Sequence, residues 1–136
     1  MKRQNREKAF EKAIEKFAPF LKMRYFKIPD THMINAQNRY QNREAKRPFD
    51  GVLVTKNGNA LIECKFQNNK LMPHQLANKE ATDKLNRTFF VLTEKINKTK
   101  GLHYVCQHLE TKHEFKDLIE TLRFVENVLK LEKIEL

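Results

Sequence analysis

Residues 48–66 read PFDGVLVTKNGNALIECKF, and the fold turns on how this stretch is paired. Two apolar runs, Phe49–Thr55 and Asn59–Phe66, flank Asn57-Gly58, the strongest hairpin signal in the chain. A two-residue turn at Asn57-Gly58 pairs Lys56 with Asn59. Counting outward, Val52 faces Glu63 and Asp50 faces Lys65. Directly opposed residues share a sheet face, and so do residues two apart on one strand. Asp50, Glu63 and Lys65 are therefore expected on one patch. Ile62, Cys64 and Phe66 turn the other, apolar, face to the core.

Upstream, Phe10, Ala13, Ile14, Phe17 and Leu21 recur at helical spacing and predict an amphipathic helix over 3–22, with Pro19 a kink near its end. A strand over Met23–Ile28 is stopped by Pro29 and Asp30. Residues 30–47, which include THMINAQNRYQNREAKR, are polar and amide-rich and carry no period. A loop of that length in a compact domain is often functional. Downstream, a helix is expected from Pro73 to about Asn86, with proline at its first turn. Thr88–Thr93 is a buried-type strand and Leu102–Cys106 another. A final helix over His113–Lys130 carries the stripe Leu118, Ile119, Leu122, Val125, Val128 and Leu129. Asp83 and Asp117 read as helix-surface charges. The order is that of one α/β domain over 1–136, helices against a mixed sheet.

Composition narrows the partner. Lys and Arg total 27 against 17 acids, for a net charge of +10. A basic domain of this size suggests a polyanion, with nucleic acid ahead of an anionic membrane. No apolar run approaches the roughly 20 residues that span a bilayer. MKRQNREKAFEK lacks the apolar segment of a secretory signal, so a cytoplasmic location is expected. Cys64 and Cys106 lie in apolar strands and read as reduced core thiols. Neither has the spacing of a zinc ligand.

Two carboxylates beside a lysine make a site for a hard cation with a positive charge next to it. Magnesium takes oxygen ligands and shares them with phosphate. Asp50 and Glu63 are the candidate ligands, and the backbone carbonyl of Cys64 a third. A metal held there polarises a phosphodiester and activates a bound water. Lys65 orients that water or neutralises charge on the phosphate. A charged pair on an exposed strand is also common without any chemistry, and a bare Glu-x-Lys is weak on its own.

Pro48-Phe49-Asp50 followed by Glu63-Cys64-Lys65 resembles the PD-(D/E)xK nuclease signature. Ala60–Phe66 followed by Lys70-Leu-Met-Pro-His-Gln75 resembles VRR-NUC domains and Holliday-junction resolvases. The likeness spans about residues 7–94. The motif has Pro-Phe-Asp in place of Pro-Asp, and 31–47 has no counterpart to align. The resemblance implies a restriction-endonuclease-like α/β fold, a mixed β-sheet flanked by helices with an αβββαβ core. It implies a Mg2+-dependent endodeoxyribonuclease, with Mn2+ as substitute, acting on DNA and above all on the four-way junction. Phe10-Glu11-x-x-Ile14 resembles the first helix of these families, which contributes an acid. That nominates Glu11, although a helical wheel sets Glu7 nearer the apolar stripe. Gln75 matches the glutamine that opens their next helix.

Arg39, Arg43, Lys46 and Arg47 form a basic cluster suited to backbone phosphates. Two cuts in a four-way junction call for a two-fold pair of chains. Phe20, Phe26, Phe66 and the C-terminal helix offer apolar surface for such a homodimer. Other DNA substrates, or a nuclease-derived module that binds nucleic acid without cutting, are the alternatives.

Overall fold

The computed structural model describes residues 3–29 and 47–135. The elements are α1 (Arg3–Phe17), a 3-10 turn (Ala18–Leu21), β1 (Arg24–Lys27), β2 (Gly51–Thr55), β3 (Gly58–Phe66), α2 (Pro73–Leu85), β4 (Phe89–Asn97), β5 (Gly101–His108), β6 (Thr111–Phe115) and α3 (Leu118–Glu135). The fold is α/β, with six strands in one mixed sheet in sequence order. β3 and β4 run parallel, and the other four neighbouring pairs are antiparallel. Parallel neighbours cannot be joined by a tight turn, and α2 lies in the connection between them.

Alternation along the strands splits the sheet into two unlike faces. One face carries Leu53, Ile62, Cys64, Phe90, Leu92 and Cys106, packed with Phe10 and Ile14 of α1 and Leu122, Val125 and Leu129 of α3. The opposite face carries Glu63, Lys65, Val91 and Thr93, and α2 lies over it. Both cysteines are free and buried. No helix among the described residues is long and apolar enough to cross a membrane.

Four expectations are corrected. The hairpin turn is Lys56-Asn57, and Thr55 pairs with Gly58. Thr55 Oγ1 accepts the Asn57 N–H at 3.0 Å and donates to the Gly58 carbonyl at 2.9 Å, which fixes the turn one residue early. Gly58 then takes φ +130°, a value that favours glycine. Val52 consequently faces Leu61, not Glu63. The shift of two positions preserves which face each residue occupies. The first helix ends at Phe17, because Pro19 opens a 3-10 turn closed by Lys22 in the left-handed region. His113 belongs to β6 and not to the last helix. Asp117 caps that helix, its Oδ1 accepting the Glu120 N–H at 2.8 Å. Phe66 stays outside the core cluster, its ring 4.8 Å beneath the Arg6 guanidinium.

Candidate active site

β2 begins one residue after Asp50, while β3 runs on to Phe66, and the site forms where the start of β2 leaves its neighbour unpaired. The Asp50 N–H donates to the Ile62 carbonyl at 2.9 Å, although Ile62 is the partner of Gly51. Two residues of one strand thus stand against one of the other, the arrangement of a bulge, and bulges re-aim side chains. Here the Asp50 carboxylate turns to β3, where Oδ2 accepts the Cys64 N–H at 2.7 Å. In a strand the N–H and C=O of one residue point to the same edge. The Cys64 carbonyl is therefore directed to the side of Asp50, beyond the start of β2.

Glu63 and Lys65 flank Cys64 in sequence and lie on the α2 face. They are 2% and 7% exposed. Pro73 starts α2 so that Gln75 falls in its first turn. Its side-chain oxygen accepts from Lys65 Nζ at 3.0 Å and from the Met72 N–H at 2.8 Å. Its amide nitrogen donates to Glu63 Oε2 at 2.9 Å. Gln75 is a clamp that leaves Lys65 Nζ 3.8 Å from Glu63 Oε2. Burial, then the charge of Asp50, push the Glu63 carboxyl up to about 9, against the pull of Lys65.

Glu11 arrives from the other side. It is 5% exposed and accepts a hydrogen bond from the Tyr25 hydroxyl. Burial raises its carboxyl above the usual range, the Tyr25 hydrogen bond opposes this, and Asp50 adds to it. Lys27 Nζ stands 3.8 Å from Glu11 Oε1. Glu7, the wheel's alternative, fastens α1 to the end of β3, taking the Phe66 N–H at 3.3 Å and Asn69 at 2.6 Å.

Asp50, Glu63, Lys65, Gln75 and Glu11 are thus brought together. Arg47 turns onto Asp50 Oδ1 at 2.9 Å and reaches the Ile28 carbonyl at 3.1 Å. Arg39, Arg43 and Lys46 lie outside the described residues. No family model, no curated protein and no solved structure matches this chain.

The donor set fits a hard cation through its chemistry. Asp50 and Glu63 supply crowded carboxylate oxygens, and the Cys64 carbonyl is aimed to their side. Among the described residues no three His, Cys, Asp or Glu side chains stand at mutual ligand spacing. A cation here would rest on two carboxylates, the carbonyl and water.

Two residues escaped the sequence reading. Tyr25 holds Glu11, and Gly51 makes room for it. A Cβ on Gly51 would stand 2.3 Å from the Tyr25 hydroxyl oxygen and 2.6 Å from the Phe26 carbonyl. The available signal was a glycine inside a strand next to a site aspartate, since such a glycine often marks close approach.

Proposed function

We propose that this chain is a Mg2+-dependent DNA endonuclease of restriction-endonuclease-like fold, hydrolysing phosphodiester bonds with Asp50, Glu63 and Lys65. The observation that carries the proposal is a pair of buried, mutually repelling carboxylates with a lysine clamped beside them, on a chain of net charge +10. Buried charge of this kind is expensive to keep and concentrates at functional sites. The likeness to VRR-NUC domains and Holliday-junction resolvases points the same way.

Magnesium held by Asp50, Glu63 and the Cys64 carbonyl would polarise the phosphodiester and lower the pKa of a bound water. Lys65 Nζ, fixed by Gln75, neutralises charge that grows on the phosphate or orients the attacking water. Glu11 adds a third carboxylate at the rim, set by Tyr25. Arg47, once off Asp50, is placed to meet a phosphate oxygen.

The substrate we assign is branched DNA, the four-way junction first, cut by a homodimer. Phe20 and Phe26 are 76% and 59% exposed, apolar surface that a two-fold partner would cover. The Arg47–Asp50 pair favours a second reading, a nucleic-acid-binding module without cleavage, because it neutralises Asp50 with no metal. Incubation with supercoiled plasmid and a labelled four-way junction, with and without magnesium, separates the two. The nuclease reading expects magnesium-dependent cuts. Binding without any cut under manganese or magnesium supports the module. Light scattering that finds a strict monomer, with equal affinity for junction and linear duplex, removes the resolvase assignment alone.

A further inference from the structure

A groove of about 680 Å³ opens beside Lys65 on the α2 face of the sheet. Its floor is built from β3 to β6, and α2 with the 67–71 turn forms a wall. Register places its residues in a band. Val91 on β4 pairs with Gln107 on β5, and Gln107 with Lys112 on β6. With strands about 4.8 Å apart, the band from β3 to β6 runs about 14 Å. Among the described lining residues five are lysines and two are glutamates. Lys65 belongs to the clamp with Gln75, and Lys79 is tied to Asp83 and the Leu109 carbonyl. Lys70, Lys95 and Lys112 form no salt bridge with any described acid. The amides Gln67, Asn68 and Gln107 stand among them, and no aromatic ring among the described residues lines the groove.

That chemistry suits a phosphodiester backbone. Lysines neutralise phosphates, and amides donate to phosphate and sugar oxygens without reading sequence. The lack of aromatic rings removes the stacking platforms that seize bases. The volume is that of a small-molecule pocket. A volume of that order takes a few nucleotides of one strand rather than the body of a double helix.

We propose that this groove holds one strand of the substrate, led from the phosphate at Lys65 across the sheet to Lys112, so that the enzyme prefers DNA in which a single strand leaves the duplex. The proposal rests on the nuclease reading for its direction, but its test does not depend on cleavage. The triple variant Lys70→Ala, Lys95→Ala, Lys112→Ala is compared with the wild type by fluorescence anisotropy. The ligands are an oligothymidylate strand and a blunt duplex of equal length, over a salt series without magnesium. A second triple variant, Lys8→Ala, Lys12→Ala, Lys16→Ala on the outer side of α1, removes the same charge elsewhere. Three lost phosphate contacts flatten the salt slope for the single strand by about 2. The α1 variant is expected to leave that slope unchanged. Equal slopes for the groove variant and wild type, or equal losses in both variants, overturn the groove. A wild type that cuts no DNA while the groove variant loses strand binding overturns the nuclease reading and keeps the groove.

Discussion

On the face of the sheet covered by α1 and α3, the buried residues of the central strands include Ile62, Cys64, Phe90, Leu92 and Cys106. One position along, on the α2 face, β3 buries Glu63 and Lys65 just as deeply. A single nine-residue strand, β3, serves both faces because its side chains alternate. The apolar face removes surface from water, which drives folding. The polar face withdraws ionisable groups from water, which opposes it. Its internal partners, Gln75, Lys65, Arg47 and the Cys64 N–H, make that arrangement tolerable. The first face accounts for why the chain folds, and the second for what we propose it does.

That division can be broken by exchanging the two kinds of damage. On the α2 face, Lys65→Ala is expected to lower the cleavage rate of the folded protein by about 10²–10⁴-fold, with a loss of stability from the buried Gln75 and Glu63 oxygens it leaves behind. On the other face, Leu122→Ala, which truncates a fully buried side chain, should cost about 2–5 kcal/mol by urea denaturation. The remaining folded fraction should cut normally. A Leu122→Ala protein that is stable but inactive would show that the faces are not separate.

The sequence resolved the faces better than the register. Alternation in Ala60–Phe66 sufficed to put Glu63 and Lys65 opposite Cys64, because facing depends on parity alone. The turn was misplaced because Asn57-Gly58 is a strong signal in isolation. The Thr55 hydroxyl, which decides the matter, acts through a side-chain contact that pattern cannot show. β6 was missed because Lys112, His113 and Glu114 are polar, as an edge strand allows. Tyr25 lies 14 residues from Glu11 in the chain, so only tertiary structure joins them.

Titration sharpens the comparison next. Glu63 is raised from its ordinary value near 4.5 to about 9. Between those values the folded chain holds a proton that the unfolded chain has released. Stability of the metal-free protein must then fall as pH rises through this window. A magnesium ion needs that proton gone, so its affinity should climb by about tenfold per pH unit below pH 9. Calorimetric titration at pH 6.5 and 7.5 measures the climb. A flat affinity would mean that no proton leaves Glu63 when the metal binds, because it is already ionised or is not a ligand.

Tyr25→Phe is a smaller perturbation. It removes the hydrogen bond that holds the Glu11 pKa down, so the acid limb of the pH–rate profile should move to higher pH. A rate loss of roughly tenfold is expected. An unmoved acid limb would make Tyr25 merely structural. Arg47→Ala is the mildest. It frees Asp50 of a competing cation and should tighten magnesium binding by a few fold, read by the same calorimetry. Weaker binding would place Arg47 among the supports of the metal site.

The central claim is that a metal held by Asp50 and Glu63 cuts DNA, and one gel tests it most directly. Wild type and Glu63→Gln are incubated with supercoiled plasmid and a labelled four-way junction, in magnesium and in EDTA. The substitution keeps the shape of the side chain but removes its charge. Cleavage is expected in the wild type with magnesium and in no other lane. Products in EDTA, or undiminished cutting by Glu63→Gln, would contradict the account.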